Sequence, residues 1–434
     1  MTAGIQAAPA RPPWIVHARA FALALAGLCG LSPALAAAAR TQGTQGTGRT
    51  SIERGRYLVN AGNCASCHTD AGGKPYAGGR PILTPFGTIY STNITPDAAT
   101  GIGKWSSQDF YKALHQGIRR DGKHLYPAFP YLWFTKVSRA DVQAIKAFLD
   151  SVAPVRQQNK PAELPWPLSV REILAGWNEL YFHEGAFKPD PKKSKQWNRG
   201  AYLVEGLGHC GACHTATNAL GAPKSGEKLK GSDFGQHWYA PGLTENLRDG
   251  LGAWSEADIV AFLKTGSNAR SAAAGPMADV VKNSTQHFSD TDLKAIAVYL
   301  KDIPAGKAQT TTRIKGAGRQ ALSGGEAIYA RNCIGCHRKN GAGYAKIFPS
   351  LKGSSAVQAK LPDTVIHIVL GGAHTAKTAG APTALPMPAF DRKLDDQEVA
   401  ELVNYIRNAW GNHASLTSAD AVSKVRKDVA HGGG

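Results

Sequence analysis

The chain has 434 residues, 43% apolar and 19% charged, with 50 Lys and Arg against 32 Asp and Glu for a net charge of +18. That length accommodates two or three domains, and no run of eighteen or more apolar residues marks an internal membrane span. The cations are not clustered with interleaved aromatics, which disfavours nucleic acid as a partner. A solvated basic surface suited to an acidic partner or an anionic membrane fits better.

In chain order, residues 1–36 read as an export signal. Arg11 and Arg19 precede an apolar run, Phe21–Leu31, that is too short to span a bilayer, and Ala34-Leu35-Ala36 supplies a small-x-small cleavage site. Cys29 falls inside this leader and is expected to be discarded with it, because Leu28 does not suit lipoprotein cleavage. The leader predicts a periplasmic, oxidising location. A first repeat over 51–153 opens with Arg54-Gly55-Arg56-Tyr57-Leu58-Val59 and closes with a helix over Ser138–Val152. A linker, 154–195, is rich in Pro and Lys but holds Trp166, Trp177, Tyr181 and Phe182, a set expected to pack on a neighbouring domain or subunit. The second repeat, 196–303, opens with Arg199-Gly200-Ala201-Tyr202-Leu203-Val204 and closes over Ser289–Ile303. A Gly/Thr/Lys-rich linker, 304–322, leads to the third repeat, 323–411, with Gly325-Glu326-Ala327-Ile328-Tyr329 and a last helix over Asp395–Trp410. Each opening reads as a short helix carrying an aromatic inward, and each closing helix starts at Ser or Asp with apolar residues at helical spacing, for example Val142, Ile145, Phe148 and Leu149. The polar tail, 412–434, is expected to be loosely ordered.

All cysteines outside the leader fall into three Cys-x-x-Cys-His motifs: Cys64, Cys67, His68; Cys210, Cys213, His214; and Cys333, Cys336, His337. This spacing lets two thiols form thioethers to one porphyrin while the adjacent His ligates its iron. A zinc ribbon needs CxxC pairs in twos, and a dithiol redox site gives no reason for a His after each pair. Three covalently bound haems c are therefore expected, and their propionates lower the net charge to about +10 once the leader is gone.

The sixth iron ligand is usually Met or His. Beyond Met1 the chain offers Met277 in Ala-Gly-Pro-Met and Met387 in Leu-Pro-Met-Pro-Ala-Phe, each on a Pro-containing loop before the last helix of its repeat. Repeat one departs: Trp254 precedes Met277 by 23 residues and Trp105 precedes Phe129 by 24, so a phenyl ring takes the Met position. The first iron is then five-coordinate, water-bound, or ligated by another side chain, with His115 and His124 nearest in sequence; loss of the Met should lower its potential. Carbonyls to hold the proximal histidines are expected from Thr92-Asn93-Ile94, Pro241-Gly242-Leu243 and Pro349-Ser350-Leu351.

First helix, haem motif, loops, Met loop and last helix resemble the class I cytochrome c fold, so the expected class is mainly α, with three tandem class I cytochrome c domains each wrapped round one haem. Tyr57-Leu58-Val59, Phe86-Gly87-Thr88-Ile89-Tyr90, Asn93-Ile94-Thr95-Pro96-Asp97, Gly101-Ile102-Gly103-Lys104-Trp105, Leu125-Tyr126-Pro127-Ala128, Trp197 through Val204, Ala274-Gly275-Pro276-Met277 and Met387-Pro388-Ala389-Phe390 together resemble the three-haem cytochrome c subunit of bacterial membrane-bound dehydrogenases. The resemblance implies an electron relay at the outer face of the inner membrane. Its donor would be a catalytic subunit (quinoprotein, flavoprotein or molybdenum hydroxylase) oxidising an alcohol, sugar, sugar acid or aldehyde, and its acceptor ubiquinone or a terminal oxidase. It also implies His68, His214, His337, Met277 and Met387 as axial ligands. A peroxide- or gas-reactive first haem is the alternative that Phe129 leaves open.

Overall fold

The computed structural model describes residues 49–233, 235–306 and 319–432; the expected leader and most of the 304–322 linker lie outside them. Helix α1 (residues 49–61) leads into α2 (Cys64–His68), the hairpin β1 (Pro81–Thr84) and β2 (Gly87–Tyr90), then α3 (Ser107–Gln116), α4 (Tyr131–Phe134) and α5 (Arg139–Ser151). After α6 (Ile173–Tyr181), helix α7 (Lys195–Tyr202) runs into a π-helical turn, Leu203–Leu207, and then α8 (Gly211–His214), the pair β3 (Ser232–Asp233) and β4 (Tyr239–Ala240), α9 (Glu256–Thr265), α10 (Pro276–Asn283) and α11 (Asp290–Lys301). A third stretch holds α12 (Arg319–Asn332), α13 (Ile334–His337), α14 (Asp363–Gly371), the pair β5 (Ala373–His374) and β6 (Pro386–Met387), α15 (Asp396–Asn408) and α16 (Ala419–Gly432). The fold is largely helical, and no helix among the described residues is long and apolar enough to cross a membrane.

One crossing recurs three times. A Cβ added at Gly55, Gly200 or Gly325 would lie 1.9, 2.0 or 2.1 Å from the backbone oxygen of Ala144, Ala295 or Glu401. The first helix of each segment therefore meets the last one backbone to backbone, which only glycine permits. The last helices also start alike: Ser138, Ser289 and Asp395 accept a bond from the backbone N–H three residues on, satisfying an end donor. Their inner faces bury Val142, Ile145 and Leu149, then Leu293, Ile296 and Leu300, then Val399, Leu402, Val403 and Ile406. The first two segments share one apolar cluster, whereas the third has its own.

Three expectations need correction. The tail is not loose, because Val422 and Val425 of α16 are buried in the third cluster. The aromatics of the opening motifs are not equivalent. Aligned on the crossing glycines, Tyr57 and Tyr202 correspond to Ala327, while Tyr329 stands two positions later and is buried. The aromatic linker packs only in part. Phe182 stands edge-on to Tyr131 at 5.1 Å and the Trp177 Nε1–H donates to the Leu220 carbonyl, but Trp166 remains 82% exposed.

The π-helical turn has a counterpart in sequence. Tyr57 precedes Cys64 by seven residues, and Tyr202 precedes Cys210 by eight. The turn absorbs the extra residue, as such bulges do.

Candidate haem sites

Each motif sits on a single helical turn directly after the first helix of its segment. The Nδ1–H of His68 donates to the Thr92 carbonyl at 2.6 Å, that of His214 to Pro241 at 2.7 Å, and that of His337 to Pro349 at 3.1 Å. All three acceptors open the stretches expected to supply them. The bond fixes the tautomer with the Nε2 lone pair free, the form in which imidazole ligates a metal. Burial lowers the pKa of all three rings, against the opposing effect of the carbonyl bond. They are poised as neutral donors.

The thiols carry the opposite signature from a redox pair. Burial pushes Cys64 and Cys210 up to about 12 and Cys333 up to about 11, whereas a dithiol nucleophile needs a depressed pKa. Among the described residues no three His, Cys, Asp or Glu side chains converge as a metal site, and the cysteines are unpaired thiols. A closely spaced thiol pair beside a neutral His fits thioether attachment of a porphyrin with the iron on the imidazole. The third motif also shows its cleft: Cys333, Cys336, His337 and Met387 line one cavity with Leu351, Val369 and Phe390. His337 and Met387 are thus brought to the same space.

The other expected ligands are placed differently. Met277 opens α10 and packs on the small cluster of Ala273, Val281 and Ala376. Just before it, Gly275 (φ 53°) lies under the Trp238 ring, 2.3 Å from where a Cβ would stand. Phe129 packs edge-on to Phe134 at 5.5 Å, and Phe134 meets His209 of the second segment at 5.2 Å. Both histidines near Phe129 in sequence are engaged elsewhere. His115 is buried, stacks on Tyr111 at 4.0 Å and bonds through Nε2 to the Val137 carbonyl at 2.5 Å. His124 pairs through Nδ1 with the Asn178 amide at 3.1 Å.

Residues that sequence reading missed join the first two segments. Asp141 is 2% exposed, and it accepts from Arg54 of its own segment (2.5 Å) and from the Tyr202 hydroxyl of the other (2.6 Å). Asp292, 7% exposed, accepts from its own Arg199 (2.7 Å) and from Tyr57 (2.5 Å). The backbone N–H groups of Ser138 and Ser289 donate to the same two hydroxyls. Residue i binds j and j binds i, the rule of a twofold interface. Burial would raise Asp292, but the bonds from Arg199 and Tyr57 outweigh it and hold the carboxyl below its usual range. Between the two segments a Cβ on Gly62 would meet Leu207, just ahead of the other motif, at 3.3 Å. Burial first, then the neighbouring Cys67, pushes Cys213 up to about 11. The Asn283 amide donates to Ser66 Oγ in α2, and Trp133 lies against Gly211 in α8. The Glu205 carboxylate of the π-helical turn binds Lys136 of the first segment at 2.9 Å, together with Lys228 and Tyr299. In the third segment, fully buried Arg407 donates to the carbonyls of Val357, Ala359 and Ser415 at 2.9, 3.0 and 3.2 Å, holding a loop that lines the cavity.

Comparison with known proteins agrees with this construction. The cytochrome c family model matches residues 52–153 and 322–410. The chain is 44% identical over 395 residues to the gluconate 2-dehydrogenase cytochrome c subunit of Pantoea cypripedii, covering 87% of this chain and 90% of that one. It is 44% identical over 394 residues to the cytochrome c subunit of the quinone alcohol dehydrogenase of Gluconobacter oxydans, covering 86% and 82%. It is 38% identical over 409 residues to the fructose dehydrogenase cytochrome subunit of Gluconobacter japonicus, covering 87% and 83%. With its neutral motif histidines, recurring thiol pairs and recurring helix crossing, the chain belongs to the family of dehydrogenase cytochrome c subunits.

Proposed function

We propose that the chain is the electron-transfer subunit of a dehydrogenase complex, carrying three covalent haems c in three tandem cytochrome c domains (51–153, 196–303 and 323–411). One observation carries the reading: a neutral His tied to a backbone carbonyl beside a thiol pair is built three times over. Bound haem supplies reversible one-electron chemistry whose potential follows its sixth ligand and the dryness of its surroundings. The thiols of Cys64, Cys67, Cys210, Cys213, Cys333 and Cys336 would anchor it, His68, His214 and His337 would ligate it, and Met277 and Met387 would close the second and third sites. The chain's contribution is to orient each imidazole and exclude water around it.

The donor would be a separate catalytic subunit acting on an alcohol, sugar, sugar acid or aldehyde, and the acceptor ubiquinone or a terminal oxidase, at the periplasmic face of the inner membrane. Exposed Trp166, Ile173 and Leu180 on the connecting segment offer apolar surface for such association. Pyridine haemochrome assay with intact-mass measurement tests the loading: three haems per chain are expected, and two after Cys333→Ala with Cys336→Ala. Fewer than three on the unaltered chain, or substrate turnover by the purified chain alone, would reject the reading.

Phe129 favours a second reading for the first site alone, an open iron position accessible to peroxide or a diatomic gas. Carbon monoxide added to the reduced protein should change the spectrum of one-third of the haem; no change removes this reading.

A further inference from the structure

The reciprocal Tyr–Asp–Arg contacts are arranged in a way that ordinary segment packing does not require. Each aspartate is already neutralised within its own segment by Arg54 or Arg199, so neither needs the other segment to be stable as a charge. The tyrosines add a second, crossed donor to each. Tyr57 and Tyr202 lie on the helices that run directly into α2 and α8. Further contacts join the two segments next to the motifs: Gly62 lies against Leu207, and Asn283 donates to Ser66 of α2. Two crossed clamps, at Tyr57 and Tyr202, seven and eight residues ahead of the first and second motifs, set both separation and tilt. One clamp alone leaves a hinge. The third segment lacks the arginine and the tyrosine: Gly324 stands at the one position and Ala327 at the other, while Glu398 at the aspartate position caps its own helix. Its contacts with the second segment run instead through Thr364 and Tyr239 and through His237 with Asp363 and Asp428.

We infer that Tyr57 with Asp292 and Tyr202 with Asp141 are positioning residues that fix the first and second attachment motifs edge to edge, making them one coupled pair to which the third is joined by other means. This rests on the proposed loading of the first two motifs. The residues touch neither thiol nor motif His; they act through the helices that carry the motifs. Because transfer between two redox centres falls off steeply with their edge separation, the clamps set the rate of exchange within this pair.

The test is Tyr57→Phe, Tyr202→Phe and the double change in the full-length holoprotein, read by Soret circular dichroism. Two neighbouring haems give a split couplet whose amplitude depends steeply on their separation and tilt. Haem per chain and thermal unfolding are measured on the same samples. Each substitution leaves the intra-segment Arg–Asp pair intact. The expected result is a couplet reduced by about half in the double variant, more than the two single changes added together, since the clamps act as a unit. Haem content should stay at three and the protein should remain folded at the temperature of the spectrum, with unfolding lowered by the loss of two hydrogen bonds to buried carboxylates. An unchanged couplet at full haem content overturns the inference, as does a couplet that weakens only in step with unfolding. Fewer than three haems on the unaltered chain is a separate result that overturns the loading itself.

Discussion

Glu205→Gln isolates the electrostatics of the junction between the first two segments. Burial works to raise this carboxyl, but Lys136, Lys228 and Tyr299 prevail and bring it from 4.5 down to about 2. At about 1.4 kcal/mol per unit, the ionised form contributes about 3 kcal/mol to folding at neutral pH. The lysine side chains are 32% and 54% exposed and regain water when the carboxylate is removed, so the expected loss is closer to about 2 kcal/mol. The sign is fixed by the depressed pKa. The contribution is full above the unfolded value of 4.5 and fades as pH falls toward 2. Urea denaturation of both proteins at pH 7 and near pH 3 reads it directly: a gap of about 2 kcal/mol at pH 7 should shrink below about 1 kcal/mol in acid. A gap of equal size at both values, or none at pH 7, would refute the reasoning.

Other outcomes follow from the same geometry. Gly55→Ala or Gly325→Ala drives a methyl into a backbone carbonyl and should cost about 3 kcal/mol or more; normal yield of haem-staining protein would contradict the crossing. Asp292→Asn leaves a half-buried Arg199 without its counter-ion and should destabilise by about 3 kcal/mol. The wild-type advantage should disappear as acid protonates a carboxyl held below its usual range, and an advantage that persists in acid would contradict it. Arg407→Met orphans buried carbonyls at about 1–3 kcal/mol each, and hydrogen exchange should quicken around Val357–Ala359 before it does in the first two segments. Met387→Ala should lower the potential of one haem in three in a spectroelectrochemical titration, and an unchanged titration would remove Met387 as a ligand.

What the sequence revealed was local in kind. The Cys-x-x-Cys-His spacing, the Ser and Asp caps at Ser138, Ser289 and Asp395, and the apolar faces of the last helices all lie within a few turns of chain. The carbonyl partners of His214 and His337 lie in Pro-led turns at Pro241 and Pro349, and that of His68 follows by counting back from Trp105 and Trp254. What stayed hidden depends on distant or non-periodic partners. Tyr57 meets Asp292 across 235 residues, and nothing near either one announces the pairing. His115 and His124 looked available only because Val137 and Asn178, which occupy them, could not be assigned. Two buried valines in an otherwise polar α16 are too few to outweigh its composition. Arg407 reads as a surface cation at the end of an amphipathic helix, and only the fold shows that carbonyls surround it.

The single extra residue in the π-helical turn has a consequence beyond the local backbone. Two halves joined by crossed, matching clamps are alike at their junction: turned about the axis between them, each clamp takes the place of the other. The insertion breaks that likeness at the approach to the second motif, on the turn where the chain also presents the carboxylate of Glu205 and the first half presents neutral Asn60. One added peptide unit makes the two approaches inequivalent, and the carboxylate on that turn is held by lysines from both sides of the junction.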